Sequence, residues 1–473
     1  VLRFFFPQRR RDGKVTRREW LRVVGLAGLG LPLIGRAASH TGSTPGFGRA
    51  RSVIFVYTSG GMSQIDTWDP KPAAPVEIRG EFGSIPTAVP GTRFGEHLPR
   101  VARLADRFTL LRSLSHDDTD HGSATYQALT GHPHPQKSSN PPIRSSDFPT
   151  YGAVLHRVRP THDFPYTAVH VNGPAQVPIV LAPGQFGGFL GRAHEPLLLG
   201  DVHEDQLPLR GLEPSPDLPA QRLAERRSLV AELDRLTARP DQSTVVRDRA
   251  LQVDQAYSLL GDPHCRQAFD LSQEPEKVRD RYGRYRSGQA CLLARRLAEA
   301  GVPWITVIWN HTNRGQDQAP SETDAYGWDT HNDVFVALRD YLLPHFDHTF
   351  SALIEDLDQR GLLDQVLVVC VGEFGRAPRV ALEAGFAGDT PGRKHWAAVY
   401  SAVAAGAGVA RGGLVGASDR HGAYPGSTPV GPWDLAATMF AALGVDPAGH
   451  YHDLDDRPYP ITIGKPIGGL YAG

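Results

Sequence analysis

Cysteine is scarce: Cys265, Cys291 and Cys370 are the only 3 in 473 residues, and none lies near enough to another to form a CxxC pair. That spacing excludes a zinc knuckle and a thioredoxin-type redox motif, and the odd count leaves at least one free thiol. Cys370, inside Leu367-Val368-Val369-Cys370-Val371, reads as a small core hydrophobe. No sign of charge dominates either. Lys+Arg 50 against Asp+Glu 51 gives a formal net charge of −1, so no field draws a polyanion and no nucleic-acid partner is expected. Internal repeats are absent. The most continuous apolar run, Leu21 to Gly35 with Arg22 interrupting it, falls short of the roughly 18 to 20 residues that span a bilayer. What is plentiful is glycine and proline, 50 and 39 residues, which implies long irregular loops around the core. Apolar residues at 40% and charged residues at 21% are ordinary for a globular protein. The length suits about three domains at roughly 150 residues each, or one large α/β domain with insertions.

Residues 1–22 are strongly basic, and Thr16-Arg17-Arg18-Glu19-Trp20-Leu21-Arg22 stands directly before the apolar run. Paired arginines in that position resemble a twin-arginine export signal, a receptor-read address for proteins exported already folded. The alternative is a basic surface helix. On the export reading, residues 1–40 are a signal segment, the export machinery is a partner, and the destination is the periplasm or cell envelope. Membrane contact then comes only through an uncleaved signal, and folding before export raises the expectation of a metal.

Further on, Ser52 to Tyr57 reads as a buried strand cut off by Thr58-Ser59-Gly60-Gly61. A helix over Leu98 to Arg107 leads into a strand at Phe108 to Ser113, which together imply a right-handed βαβ unit. Strands are also expected at 169–171, 178–181, 304–309, 365–371 and 399–405. Helices are expected at 123–129, 286–301, 334–361 with a break near Pro344, and 433–443. Leu218 to Ala238 and Val245 to Leu260 have helical period, giving a mainly helical insertion at about 210–290 that caps the sheet or binds a partner. The alternation predicts a mainly parallel sheet with helices on both faces, in a single domain over 41–473.

In such sheets ligands lie beyond the carboxyl ends of the strands. The loops there carry Asp66 and Asp69, the run His116-Asp117-Asp118-Thr119-Asp120-His121, Asp329 and His331, Glu373 and Arg376, and Arg393 and His395, while His311 sits in the loop after Trp309. Mixed carboxylates and imidazoles suit zinc, manganese or iron, whereas oxygen-only sets suit magnesium or calcium. The run 116–121 is alternatively a polar loop, and His132 and His134, among prolines, read as exposed loop residues.

Gly60-Gly61-Met62-Ser63-Gln64-Ile65-Asp66, Gly327-Trp328-Asp329-Thr330-His331, Gly372-Glu373-Phe374-Gly375-Arg376 and Gly392-Arg393-Lys394-His395-Trp396 together resemble the exported sulfatase-like family catalogued as domain of unknown function 1501. The resemblance covers nearly the whole chain. It implies an alkaline-phosphatase-like three-layer sandwich, and in active relatives a metal-assisted hydrolysis of phosphate or sulfate esters. It also implies Asp66, with Asp69 as an alternative, and Asp329, His331, Glu373 and His395 as metal ligands. Glu373-Phe374-Gly375 stands where active relatives present an Asp-His-Gly turn, and phenylalanine cannot ligate. The helix-starting nucleophile of the superfamily falls on His121, which leaves an imidazole as ligand, base or nucleophile, with Ser123 pointing to the other side of the helix.

The expectation is therefore a hydrolase of phosphate or sulfate esters using metal-activated water, on a small anionic ester or a sulfated or phosphorylated polymer. The divalent metal is zinc, with calcium, magnesium or manganese as alternatives. His121, Arg376 and Arg393 are the catalytic candidates, the arginines steadying the ester or else pairing with acids. The competing expectation is a binding or scaffold protein of the cell envelope that keeps the fold without the chemistry.

Overall fold

The computed structural model describes residues 44–177, 180–202, 220–237, 244–310 and 327–471. The segment read as an export signal, the first two residues of the strand expected at 178–181, and the loop carrying His311 lie outside these.

Short runs of β-branched and aliphatic residues build the sheet. Ser52–Tyr57 (β1) is buried at every position, as a strand covered on both faces must be. Phe108–Leu114 (β2), Ala168–Val171 (β3), Leu197–Leu198 (β4), Trp304–Ile308 (β5), Val366–Val371 (β6), Tyr400–Ala405 (β7) and Leu414–Val415 (β8) complete it. Their order is β8-β2-β7-β6-β1-β5-β3-β4. β1 pairs in parallel with β5 (Phe55 opposite Thr306) and with β6 (Phe55 opposite Val369). β3 continues from β5 and β4 from β3, both parallel. β7 runs against its neighbours, with Val403 opposite Cys370 on β6 and Leu110 on β2.

The principal helices are His121–Thr130 (α1), Tyr151–Val158 (α2), Ala220–Thr237 (α3), Thr244–Gly261 (α4), Arg286–Glu299 (α5), Leu343–Gln359 (α6) and Pro432–Ala442 (α7). Side chains of β1 alternate between two cores, because successive strand residues face opposite sides. Ile54 and Val56 pack with Leu293 and Leu297 of α5 and Phe350 and Leu353 of α6. Val53 and Phe55 pack with Leu129 of α1, Val154 of α2, and Leu435 and Phe440 of α7. This is an α/β sandwich with helices on both faces of a mostly parallel sheet. Each large apolar side chain taken out of water contributes about 1.5–3 kcal/mol, so the two cores hold the strand ends as fixed origins for the loops beyond them. Among the described residues no helix is long and apolar enough to cross a membrane.

Two expectations need correction. β1 and β2 do not form an adjacent βαβ pair: they are parallel, but β6 and β7, from late in the chain, lie between them. The helix expected over 98–107 is a single turn, Pro99–Ala102, followed by a tight turn at Ala105–Arg107. Its start is held from outside, since the Arg100 and Val101 amides donate to the Asp347 carboxylate of α6 at 2.8–3.0 Å. The break near Pro344 is a wide turn over Leu338–Leu342 that leads into α6.

Candidate metal centre

The parallel strands deliver their following loops to one edge of the sheet. β2 leads through Ser115–Asp120 to His121, the first residue of α1. β6 ends at Val371, two residues before Glu373, and the chain that leaves β5 returns to the same edge with Asp329 and His331. A two-residue ribbon places the last member, with His395 opposite Arg376 and Trp396 opposite Gly375.

One donor atom from each of His121, Asp329, His331 and His395 falls within 4.8 Å of all the others. The Asp329 carboxylate is the hub. Its Oδ2 lies 3.2 Å from Nε2 of His121, and its Oδ1 lies 2.9 Å from Nε2 of His331 and 3.2 Å from Nε2 of His395. These spacings match what neighbouring donors adopt around one ion bound at about 2.0–2.2 Å. The Nε2 atoms of His121 and His331 are buried and make no hydrogen bond. Apart from these contacts with Asp329 neither nitrogen has a partner, and once deprotonated each turns a buried lone pair toward the same point, so this donor set fits a metal.

The other ring nitrogens are all engaged. Nδ1 of His121 is 2.7 Å from Glu373 Oε1, Nδ1 of His331 is 2.5 Å from Glu383 Oε2, and Nδ1 of His395 is 2.8 Å from the Thr119 carbonyl. Two carboxylates and a carbonyl thus place the proton on Nδ1 and leave Nε2 as the donor, which is how proteins orient metal-binding histidines. Glu373 is itself fixed by the Gly60 amide at 2.8 and 3.1 Å and the Tyr57 hydroxyl at 3.0 Å.

Electrostatics separate the three rings. Burial draws the His121 imidazolium down, but the Asp329 and Glu373 carboxylates outweigh it and hold it up at about 9. Burial, with the charges on His121 and Arg376, pushes His395 down to about 4. Burial would raise Asp329, yet the cations of His121 and Arg376 hold its carboxyl well below the usual range.

The remaining candidates lie around this cluster. Asp66 is bound to Arg393, Oδ2 to Nε at 2.8 Å and Oδ1 to Nη2 at 3.0 Å, and accepts the Ser63 hydroxyl at 2.5 Å. Arg393 also donates to the carbonyls of Ile78, Ala377 and Pro378. Arg376 donates to Asp329 Oδ1 at 2.7 Å and to the carbonyls of Gly60, Gly61, Trp328 and Arg393. Every nitrogen of both guanidiniums therefore meets a protein acceptor. Phe374 packs against the rings of His121 and His395, with centroids 4.8 and 4.9 Å away. Asp69 pairs with Lys71 at 3.0 Å, and Ser123 accepts the Ser138 amide at 3.1 Å. His132 and His134 are buried rather than exposed: His132 stacks on Phe148 at 3.9 Å, and His134 bonds the Gln136 carbonyl at 2.7 Å. Nothing in the sequence marks Glu383 or Phe386, whose ring stacks on His331 at 3.8 Å, and Thr119, within the run 116–121, acts through its backbone carbonyl and not its side chain. Glu383 stands 52 positions from His331 in an irregular loop, and no spacing rule links the two.

The family model described as a protein of unknown function, DUF1501, matches residues 50–470. No curated protein matches the chain. Among solved structures it is similar to a sulfatase from Pseudoalteromonas sp., at 14% identity and a TM-score of 0.38, over 89% of this chain and 72% of that one. It is similar to a protein in the alkaline phosphatase superfamily from Vibrio parahaemolyticus, at 9% identity and a TM-score of 0.38, over 92% and 76%. A phosphonate monoester hydrolase from Silicibacter pomeroyi matches at 12% identity and a TM-score of 0.35, over 83% and 73%.

Proposed function

The chain belongs to the DUF1501 family, and from the geometry of its histidine–aspartate cluster we propose that it is a metal-dependent hydrolase of phosphate or sulfate esters. The observation that carries this reading is the convergence of three Nε2 atoms on one carboxylate, with every Nδ1 tied to an outer acceptor. His121, Asp329, His331 and His395 would hold the ion. Three imidazoles with one carboxylate favour zinc, or manganese or iron, over calcium and magnesium, which prefer oxygen alone. When bound, such an ion supplies Lewis acidity toward the ester and can lower the pKa of water to about 7.

The protein's own groups then have separate tasks. Glu373, Glu383 and the Thr119 carbonyl orient the three rings. Arg376 fixes the Asp329 carboxylate while leaving its Oδ2 to His121. Asp66 and Arg393 act one layer further out: the Arg393 amide donates to the His331 carbonyl at 2.8 Å, and His395 follows two residues later. With an imidazole at the first position of α1 and Ser123 turned to Ser138, attack by water agrees better with the geometry than attack by a side-chain hydroxyl.

The second reading, a scaffold protein without turnover, is favoured by Phe374, an apolar ring in contact with two of the four ligands. Elemental mass spectrometry on protein prepared without chelator, with an Asp329→Ala/His331→Ala variant beside it and both screened on sulfate and phosphate esters, separates the readings. Near-stoichiometric metal and turnover, both lost in the variant, are expected. Metal without turnover supports the scaffold, and unchanged metal in the variant overturns the ligand assignment.

Export by the twin-arginine route is part of the proposal and rests on Arg17-Arg18 before the apolar run. Cell fractionation of an Arg17→Lys/Arg18→Lys variant tests it, and an unchanged distribution overturns it.

A further inference from the structure

An anionic ester reaching the cluster needs a cation and a surface for the group it esterifies, and the buried arginines offer neither. Arg376 and Arg393 have no exposed side-chain surface, and their nitrogens are engaged by protein acceptors. One lip of the site has both features. Lys394, next to His395 in the chain, has a side chain 66% exposed, with Nζ 3.3 Å from Oε1 of Glu383. The other oxygen of that carboxylate holds His331, so the ammonium stands one residue outside the ligand cage. Phe386 belongs to the same lip. Its ring lies flat on His331, 12° from coplanar, yet the residue is 48% exposed. One face is against the imidazole, so the exposed surface of the residue lies elsewhere than on that face.

The pad that carries Phe386 is anchored. The Asn332 side chain donates to the Glu383 carbonyl at 3.1 Å and to the Phe386 carbonyl at 3.3 Å, and accepts the Glu383 amide at 2.8 Å. Asp333 takes the Thr390 amide at 2.7 Å. A half-exposed aromatic residue held against a metal ligand, with an ammonium on the carboxylate that orients that same ligand, matches a substrate ring that has one apolar face and a polar rim. A hydrocarbon tail would call for an enclosed apolar pocket, and a half-exposed ring does not wall one.

We propose that Phe386 and Lys394 form the specificity lip of the site and select sulfate or phosphate esters carried on a sugar ring, with the sugar stacked on Phe386 and the anionic group steered by Lys394. This rests on the metal-ester reading above. The test titrates the zinc-loaded full chain calorimetrically with glucose 6-sulfate and glucose 6-phosphate, and with ethyl sulfate and ethyl phosphate as ring-free controls. Zinc content is measured first in every variant. Wild-type protein is expected to bind the better glucose ester about five- to tenfold more tightly than its ethyl counterpart. Phe386→Leu, which keeps apolar bulk against His331, should bring that ratio close to one without weakening the ethyl ester. Lys394→Met should weaken both by a similar factor. A zinc-loaded wild type with no preference for the sugar, or a preference that survives in Phe386→Leu, overturns the lip alone. A wild type that takes up no zinc overturns the metal-ester reading and the lip with it.

Discussion

Asp66 and Arg393, 327 positions apart in the chain, meet in a two-pronged ion pair of 2.8 and 3.0 Å with neither side chain exposed. The pair joins the loop after β1 to the segment that carries His395, and through the Arg393 amide it also reaches the His331 backbone. A fully buried charge is tolerated only while its partner is present. This geometry makes the pair a brace for the backbone that carries His331 and His395.

Replacing Asp66 by Ala strands the Arg393 guanidinium in a dry interior. A loss of about 3–5 kcal/mol is expected, the usual cost of breaking a buried pair from one side. Chemical denaturation measures it. The double variant Asp66→Ala/Arg393→Met should recover part of that loss, since the uncompensated charge is gone. A single variant as stable as wild type would mean that water reaches the pair.

Glu373 offers a test of the outer acceptors. Glu373→Gln keeps the size but gives up the negative charge that holds Nδ1 of His121. Metal affinity should fall by about 10- to 100-fold, the range seen when such an outer partner is altered, with little change in the fold. Competition against a chromophoric chelator reads the affinity. Equal affinity in the two proteins would remove His121 from the ligand set.

The dependence on pH follows from His121. In the metal-free chain its imidazolium persists up to about 9, and a metal can take Nε2 only after that proton leaves. Apparent metal affinity should therefore rise with pH, about tenfold per unit between pH 7 and 8, and flatten above about pH 9. Folding stability of the metal-free protein has the opposite trend from this group. The folded value lies above the unfolded one of about 6.5, so the contribution is fully present below pH 6.5 and is lost as pH rises through about 9. Proton release measured in two buffers of different ionisation enthalpy checks the first trend. Release near zero at pH 7.5 would contradict it.

Much of this was legible in the sequence because it depends on local signals. β1, β6 and β7 are readable from short apolar runs ended by glycine or by a change to polar residues, His121, Asp329 and His331 stand in loops that follow expected strands, and His395 is marked by the family resemblance. What could not be read was which of these side chains meet. Asp66 has the same residue type and the same strand-end position as a ligand, yet it meets Arg393, and only the packing of the segment at 393 against the loop after β1 decides that. Glu383 and Phe386 sit in an irregular loop with Gly385 and Gly388 at positive φ, where neither helical nor strand period carries information. The strand order was hidden for another reason: β6 and β7 enter between β1 and β2 from late in the chain, and nothing local to β1 or β2 records it.

The conformation of Gly60 sets the distance between the first loop and the hub of the cluster. Its φ of +116° lies where side chains rarely go, and a Cβ there would come within 2.4 Å of the Asp329 amide and 2.7 Å of the Trp328 carbonyl carbon. The same residue donates its amide to Glu373 and accepts from Arg376 at its carbonyl, so it touches supports of both His121 and Asp329. Gly60→Ala should cost about 1–3 kcal/mol from backbone strain alone, and it should also push Trp328-Asp329 outward. Metal affinity is then expected to fall together with stability. Gly91→Ala is the control for strain alone, since its φ of +81° is also one that side chains rarely adopt and its Cβ would meet nothing within 4 Å. If Gly60→Ala binds metal as tightly as Gly91→Ala, measured by the same chelator competition, the close approach of this loop to Asp329 is not what holds the hub in place.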